Sequence, residues 1–424
     1  MNINVQIIAY KIIFGGPGKA CQAAAINTAM DLSAGRVISG KKVGLTLTDK
    51  EEIDDMKFVP VCLAAAVCCA VTFVHAAEGF QVRYNLAGSL GGEMFAPPDQ
   101  SGLAVGLAAT RITIDKVTGG DGHNLQTTAP GGAVRLPSAI TVAPGVTLPA
   151  GAAVATYDAN AVTVKATGTF NLYNLGVGYV STERFCGGRW GVVLNVPYGV
   201  KDQRFKSQTT VPALTPISPV PAVPGALASS FASNYVNQAN ATAAAETGEV
   251  EGIGDTEIQV GWLLNADQWR VLAGASVVLP TGRYDSAAGP DIGYGNFYTF
   301  RPAVQVAWLP RPDVSIAGKV TLGLNTRNRD NDLRSGNWLG LEAATAYMTP
   351  FGPIGVHAIH VQQTQDDSGN PYGDARFRSS NVGAFFTTKV PSADVVVTLQ
   401  TMKAVDSRYA KHGTYQQIRM IKLF

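Results

Sequence analysis

Apolar and polar residues alternate with a period of two along most of the chain after residue 100. In the clearest segment Val314, Ile316, Val320 and Leu324 share one face, while the opposite face is small or polar. Successive side chains of a β-strand point to opposite faces, so this period predicts strands. Twelve strands are predicted, near 103–118, 161–180, 189–206, 253–265, 268–284, 296–310, 314–328, 338–349, 354–366, 380–390, 394–409 and 415–424.

The predicted connections alternate in length, which is typical of transmembrane barrels. Short turns are predicted near 181–187, 266–267, 310–313, 350–353 and 391–394. Long loops are predicted near 119–160, 207–250, 285–295, 328–337, 366–379 and 410–414. An even number of strands places both barrel ends on the periplasmic side and the long loops outside.

Two features favour a membrane barrel over a soluble β-sandwich. Aromatic residues stand at both ends of the apolar faces, Trp190 with Tyr198 and Tyr298 with Trp308. Tyr and Trp prefer the two membrane–water interfaces, and this separation suits one crossing by a strand. The opposite faces carry charges in mid-strand, which we expect to line a polar lumen: Glu257, Arg301, Lys319 and Glu342.

Composition supports the same fold class. Only 15% of the residues are charged and 46% are hydrophobic, fewer charges than a soluble chain with so much exposed strand would carry. The 33 basic and 31 acidic residues leave a net charge of +2, so we expect no nucleic-acid partner. The sequence therefore predicts an all-β protein, a transmembrane antiparallel up-and-down barrel of about twelve strands.

The first 102 residues divide into three predicted segments. Residues 56–76 have a short charged start, an apolar run and a small-residue cleavage pattern, which predicts a signal peptide. Residues 1–55 are interpreted as over-extended upstream translation; the alternative is a cytoplasmic extension before an uncleaved anchor helix. Four of the five cysteines precede residue 77, so an exported chain keeps only Cys186 and forms no internal disulfide.

Residues 77–102 are rich in Gly and Pro and are predicted to be a periplasmic lead-in or a plug inside the barrel. Tyr84, Met94 and Phe95 are the residues that a plug could offer to an apolar solute. Residues 103–424 form the predicted barrel. The chain ends on Phe424, and a terminal aromatic residue on a last strand predicts recognition by the barrel-assembly machinery.

Three short motifs accompany the predicted hairpins. Gly254-Asp255 opens one strand, Gly282-Arg283-Tyr284-Asp285 closes the next, and Asp367 and Gly369 lie in a later loop after Gln362-Gln363. In this order and spacing they resemble the outer-membrane proteins of the meta-pathway of phenol degradation. The resemblance covers about residues 78–424 and implies a transporter-like barrel for aromatic or other hydrophobic compounds.

Each motif also has a plain structural interpretation. Gly282 can simply end a strand, Asp285 can cap a turn, and Asp366-Asp367 can form a turn instead of a Ca²⁺ or gating loop. His357 and His360 are three residues apart, so they point to opposite faces of a strand and cannot share a metal. No Cys pair or nucleotide-binding loop is present, and we expect no catalytic residue, metal or cofactor.

These observations predict a channel for passive uptake of small hydrophobic or aromatic compounds in the outer membrane of a Gram-negative bacterium. Glu257, Arg301, Lys319 and Glu342 are expected along the solute path. Two alternatives stay open. One is a structural or adhesive outer-membrane barrel without transport, and the other is an outer-membrane hydrolase that would use His357 or His360 with a neighbouring serine.

Overall fold

A computed structural model describes residues 30–31, 36–37, 82–92, 100–285, 289–369 and 376–424. The chain divides into two compact units, Met1–Leu63 and Ala64–Phe424. Of the first unit only two paired strands are described, β1 Met30–Asp31 and β2 Arg36–Val37. The predicted signal peptide and nearly all of residues 1–55 therefore lie outside the described residues, as do Met94 and Phe95.

The second unit is a twelve-stranded antiparallel barrel, which confirms the predicted fold class. Each strand pairs with its neighbours in the chain, and the last strand pairs with the first from Leu423 against Ala104 to Lys411 against Val117. The barrel strands are β3 Gly102–Val117, β9 Asn160–Phe185, β10 Gly188–Thr209, β13 Glu257–Asn265, β14 Trp269–Val278, β15 Thr299–Arg311, β16 Val314–Asn325, β17 Trp338–Thr349, β18 Gly352–Gln363, β19 Arg378–Val390, β20 Val395–Arg408 and β21 Lys411–Leu423.

The connections divide the barrel into a short-turn end and a long-loop end. The short turns comprise residues 186–187, 266–268, 312–313, 350–351 and 391–394, as predicted. The first has Cys186 at φ 51° and Gly187 at φ 79°, the left-handed pair that a two-residue hairpin requires. The prediction of a long loop at 410–414 is wrong, because β20 and β21 are joined by residues 409–410 alone.

The outward face of the barrel is an apolar belt. Large apolar side chains such as Val304 and Val320 are about half-exposed there, although nothing in the structure covers them. Trp190, Trp269 and Trp308 stand near the short-turn edge of the belt, where the last two rings stack at 6.0 Å. Such a belt between aromatic edges is the surface that lipid covers. Within the described residues, no helix has the length and apolar character to cross a bilayer.

Two long connections at the long-loop end fold together into a cap. They contribute the strands β4 Gln126–Ala129, β5 Gly132–Arg135, β6 Ile140–Ala143, β7 Val146–Leu148, β8 Ala153–Tyr157, β11 Thr215–Pro216 and β12 Gly248–Ile253, together with the helix α1 Gly225–Ala245. The helix follows Pro224 and buries Phe231, Tyr235, Ala239 and Ala243, four residues apart on one face. Phe231 and Tyr235 pack on Tyr157 and Val154 in a separate apolar core.

Arg111 lies within the first barrel strand, where an outward arginine at mid-depth of the membrane would be costly. In the structure β3 runs without a bulge from residue 102 to 114 against β9, and Arg111 does point outward. It lies beyond Ala109 and Tyr173 toward the long-loop end. Arg111 therefore stands at the edge of the apolar belt, where water and headgroups are in reach.

Candidate functional site

A segment of the chain before the first barrel strand occupies the barrel interior. We call residues 82–92 the lumenal segment. At one end Arg83 contacts Gly295 in the loop region, and at the other the backbone N–H of Gly92 donates to Thr387 Oγ1 (3.0 Å) near the short turns. Val82, Arg83, Ala87 and Leu90 are buried. The lumenal segment therefore runs lengthwise through the barrel.

Arg83 is held by a complete set of acceptors. Its Nε and Nη2 both contact Asp255 Oδ2, at 3.0 and 2.8 Å, and both side chains are almost fully buried. Nη1 donates to Thr299 Oγ1 (3.2 Å) and to the carbonyl of Phe297, and Nη2 also donates to the carbonyl of Gly295 (2.9 Å). The guanidinium lies 3.9 Å from the centre of the Phe297 ring. All five donors of the side chain are used, as a buried arginine requires.

The first two motifs of the sequence build this arginine site. Asp255 Oδ1 accepts the backbone N–H of Gly282 (3.0 Å), and its Oδ2 accepts that of Tyr294 (3.1 Å). Thr281 Oγ1 donates to the carbonyl of Gly254 (3.1 Å), which fixes the two motifs together. Asp255 is thus positioned for Arg83 by the backbone of a neighbouring loop.

Gly282 is required by close backbone packing. A Cβ at this position would stand 2.6 Å from Gly293 Cα and 2.8 Å from Asp255 Oδ1. Both distances are shorter than real Cβ contacts, and the first is to backbone that cannot turn away. The other motif residues of this loop also bind it: the carbonyl of Arg283 accepts from Ile292 and Gly293, the Tyr284 hydroxyl contacts Asn328, and the Asp285 N–H donates to Asp291.

Glu342 anchors the middle of the lumenal segment. Its Oε1 accepts from the Tyr84 hydroxyl (2.5 Å) and from Ser89 Oγ (2.8 Å). Its Oε2 accepts from the backbone N–H groups of Ser89 (2.8 Å) and Leu90 (3.2 Å). Lys319 Nζ lies 3.4 Å from Oε1 and donates to Ser89 Oγ (2.8 Å). One buried carboxylate therefore satisfies four donors of the segment and one lysine.

The remaining two predicted lumen residues contact each other. Arg301 forms an ion pair with Glu257, and its Nη1 donates to the carbonyl of Arg83 (2.6 Å). The structure thus places all four predicted residues on the inward face, around the lumenal segment. Amides complete the contacts, since Gln400 donates to the carbonyls of Ala87 and Gly88 and Asn381 donates to that of Leu86.

Apolar packing accompanies these polar contacts. Leu90 is fully buried against Ala307, Ala317 and Phe385. Tyr84, the described member of the predicted apolar trio, packs edge-on against Trp338 at 5.3 Å. The His357 ring touches the segment beside Gly88, where a Cβ would lie 3.0 Å from Nδ1, and neither ring nitrogen has a hydrogen-bond partner within the part of the chain that the structure describes.

The third motif connects two other loops. Asp367 Oδ1 accepts the backbone N–H of Gly336 (2.7 Å) and Gln363 Nε2 (2.8 Å). Asp366 accepts from Arg376 Nε and Nη2 at 2.6 and 3.2 Å, and these hydrogen bonds hold the pKa of Asp366 below its ordinary value. Gly369 has φ 83°, in the left-handed region. Among the described residues, no group of three or more acidic, His or Cys side chains could hold a metal ion.

The two histidines of the hydrolase alternative point to opposite faces. His357 is inside the barrel, and His360 faces outward, where its Nδ1 lies 2.8 Å from Ser380 Oγ and its Nε2 lies 3.4 Å from Gln362 Oε1. The contact between His360 and Ser380 was not predicted from the sequence; Ser380 lies opposite His360 on the neighbouring strand. The burial of Arg83 was not predicted either, since the segment around it has no periodicity that would indicate a buried position.

The comparisons with known proteins place this chain in a family. The family model described as "Putative MetA-pathway of phenol degradation" matches residues 156–418. The chain belongs to this phenol-degradation family. The match includes both motifs that build the Arg83 site and the loop with Asp367. Among curated proteins, none matches the chain.

Several solved structures are similar to this family member. The COG4313 outer membrane channel from Pseudomonas putida F1 has 11% identity and a TM-score of 0.47, over 81% of this chain and 100% of that one. The CymD monoaromatic hydrocarbon channel has 11% identity and a TM-score of 0.33, over 80% of this chain and 94% of that one. A deletion mutant of the TodX monoaromatic hydrocarbon channel has 10% identity and a TM-score of 0.34, over 82% of this chain and 100% of that one.

The location of the protein follows from its architecture. Closed antiparallel barrels with an outward apolar belt are the membrane proteins of bacterial outer membranes. The protein therefore lies in the outer membrane of a Gram-negative bacterium, with its short turns on the periplasmic side.

Proposed function

We propose that this protein is an outer-membrane channel for passive uptake of small hydrophobic or aromatic compounds. The observation that carries the proposal is a barrel whose interior holds a separate segment of chain, bound by inward side chains of the wall. If side chains of the barrel strands alone blocked the lumen, the lumen would stay closed. A separate segment can instead move relative to the strands and open a path. Membership of the phenol-degradation family supports the same function.

The lumenal segment acts as a plug in this proposal. Its contacts are mostly hydrogen bonds to side chains of the wall, among them Asp255 and Glu342, so partial displacement exposes polar groups that water can satisfy. Glu257, Arg301, Lys319 and Glu342 then line the freed path. Tyr84 and Trp338 give that path an aromatic surface against which an apolar solute can rest. No energy source is needed for movement down a gradient.

The cap is assigned to solute entry. Its loop 210–224 borders an apolar groove with Val211, Leu214, Val223 and Phe231 in its lining. Such a groove at the outer side offers an apolar compound a surface that it prefers to water. The last strand has a second proposed role. The backbone N–H of Phe424 donates to the carbonyl of Leu103 (2.7 Å), its ring lies 5.1 Å from Lys422 Nζ, and the residue is 66% exposed, so the barrel-assembly machinery can reach it.

Uptake into liposomes tests the proposal. The protein is reconstituted, and the entry of a small aromatic such as toluene or phenol is compared with that of a charged sugar acid. We expect faster entry of the aromatic than in protein-free liposomes, and a further increase when residues 82–92 are replaced by a Gly-Ser linker. Equal entry with and without protein, for both forms, would contradict it. Growth of a gene-deletion strain on aromatic substrates provides the matching test in cells.

The competing class is a structural or adhesive barrel, and the folded cap is the observation that favours it. In that case the linker variant conducts but the wild type passes no aromatic compound, and removal of the cap abolishes surface binding. The hydrolase alternative predicts ester cleavage that is lost in both Ser380→Ala and His360→Gln.

A further inference from the structure

The lipid-facing wall of the barrel carries a groove at the edge of its apolar belt. The groove has a volume of about 690 Å³ and crosses the outward faces of six strands, β18, β19, β20, β21, β3 and β9. Its floor is formed by small residues, including Ala384, Thr401 and Ala109, and its sides by larger ones such as Ile354, Phe386 and Tyr173. This volume lies within the range of about 300–1,000 Å³ that ligand sites span.

Strand pairing defines the depth of the groove. Phe386, Leu399, Ile418, Ala109 and Tyr173 stand side by side across the last five of these strands and form its apolar row. The next row toward the long-loop end is small or polar, with Ala384, Thr401, Gln416, Arg111 and Asn171 in register. The groove therefore has an apolar part within the belt and a cationic, amide-bearing part at its outer edge.

Two cations at this edge have no counter-charge among the described residues. Arg111 and Lys403 both point outward and are exposed, and neither makes a hydrogen bond or ion pair with a described residue. Higher on the same wall, Lys165 and Lys206 stand opposite each other on β9 and β10, also unpaired within the described chain. The nearby outward carboxylates are already used: Asp202 pairs with Arg204, and Asp115 with His412.

The rest of the barrel wall differs. The outward positions of β14 to β18 hold one charged residue, Arg311 at the short-turn end of β15, where it pairs with Asp313. Among the described residues, the unpaired cations at the long-loop edge of the belt therefore lie in one sector of the barrel. An arginine beside hydrocarbon is costly unless it reaches water or an anion at the interface. The partner that fits this arrangement is an amphiphile. Its acyl chains would fill the apolar groove, and its anionic head would contact the unpaired cations.

We propose that this groove binds a phosphorylated lipid of the outer leaflet, with an acyl chain against Ala384 and Ala109 and a phosphate on Arg111 and Lys403. Arginine binds phosphate oxygens through two parallel donors, and the neighbouring amides of Asn171 and Gln416 add further contacts. The bound lipid neutralises the positive charge of Arg111 and Lys403, and it fixes the rotation and depth of the barrel in the membrane. This site is separate from the lumen and does not depend on the proposed transport.

Co-purification provides the first test. The protein is purified from outer membranes in detergent, and phosphorus-containing lipid is extracted and counted per barrel by mass spectrometry. We expect the double variant R111Q/K403Q to retain at least about tenfold less lipid than the wild type, because the loss of a single charge-assisted contact already corresponds to about tenfold. The control R311Q/K389Q removes the same charges at the short-turn end and should retain lipid as the wild type does. Equal retention by all three proteins would refute the proposal.

A second test separates the groove from the charges. Ala384→Trp fills the groove without changing any charge, and tryptophan is tolerated on a lipid-facing wall. We expect it to reduce lipid retention as strongly as R111Q/K403Q; full retention would show that no acyl chain lies there. Comparable heat-modifiable migration of each variant in gels shows that the barrels are folded.

Reconstitution identifies the source of the phosphate. Protein refolded without lipid is placed in nanodiscs of phosphatidylcholine alone or with phosphatidic acid. We expect phosphatidic acid to raise the Tm of the wild type and not that of R111Q/K403Q. An equal rise produced by inorganic phosphate in phosphatidylcholine nanodiscs would overturn the lipid assignment in favour of a simple anion site.

Discussion

Arg83 donates to the same oxygen of Asp255 from its Nε and its Nη2, across 172 residues of sequence. Arg83 belongs to the lumenal segment, and Asp255 belongs to the Gly254-Asp255 motif. Because Asp255 is also held by the N–H groups of Gly282 and Tyr294, the motifs create a rigid receptor for the segment. The glycine and aspartate of these motifs are therefore explained by what they hold inside the barrel.

Breaking this pair should release the outer end of the lumenal segment. Arg83→Gln leaves Asp255 buried without its cation, and the loss of one partner from a buried ion pair costs about 3–5 kcal/mol. We expect a higher single-channel conductance or longer open times in planar bilayers than for the wild type. The control Arg329→Gln alters an arginine of the outer loops and should leave conductance unchanged. A closed Arg83→Gln channel would contradict the role of this pair as an anchor.

Glu342→Gln should loosen the middle of the segment. An amide offers one acceptor where the carboxylate offers two, so at least the N–H groups of Ser89 and Leu90 or the two hydroxyls lose a partner, and Lys319 loses its counter-charge. We expect more frequent openings, with an effect of about 2–4 kcal/mol on the closed state. Glu251→Gln, which changes an exposed glutamate of the cap strand β12, provides the control. Identical gating of both variants would show that Glu342 does not hold the segment.

Gly282→Ala should destabilise the loop that carries Asp255. The new methyl group meets Gly293 Cα at 2.6 Å, so backbone must move, at a cost of about 1–3 kcal/mol. We expect lower refolding yield into detergent micelles and a lower urea midpoint. Gly225→Ala is the matched control, because nothing lies within 4 Å of a Cβ there. An unchanged midpoint for Gly282→Ala would contradict the proposed backbone contact.

Phe231→Ala should unfold the cap and spare the barrel. Its ring lies 4.9 Å from that of Tyr157 and 5.7 Å from that of Tyr235, and removing such a buried ring costs about 3–5 kcal/mol. We expect rapid protease cleavage within 210–245 on intact cells, while heat-modifiable migration stays normal. Ser230→Ala, at the exposed neighbouring position, should stay protected. Loss of the barrel itself would show that the cap is not an independent core.

Acidification should weaken the contact between Asp366 and Arg376. The pKa of Asp366 is lowered by these hydrogen bonds, so their stabilisation is present at neutral pH and is lost as the pH falls through that depressed pKa. Hydrogen exchange of residues 376–378, corrected for intrinsic rates, should accelerate over this acidic range. The pair is exposed, so the effect is small. In Asp366→Asn the pH dependence should vanish, and its persistence would assign it to another group.

The period-two pattern determined much of the fold, because strand alternation is a local property. It predicted twelve strands close to their observed bounds, five short turns, and the inward face that carries Glu257, Arg301, Lys319 and Glu342. Antiparallel neighbours in the chain are also neighbours in the sheet, so the order of strands followed with little further information. The helix α1 was missed, although an alanine-rich run after Pro224 indicates one.

Only the tertiary structure decided what those residues contact. The pairing of Arg83 with Asp255 and of Ser89 with Glu342 depends on how the closed sheet surrounds a segment without periodicity of its own. The depth of Arg111 depends on strand tilt and on register with β9 and β21, which no single strand encodes. Alternation along one strand tells which side a residue faces, whereas the distance across the lumen and the height in the membrane are set when all twelve strands close together.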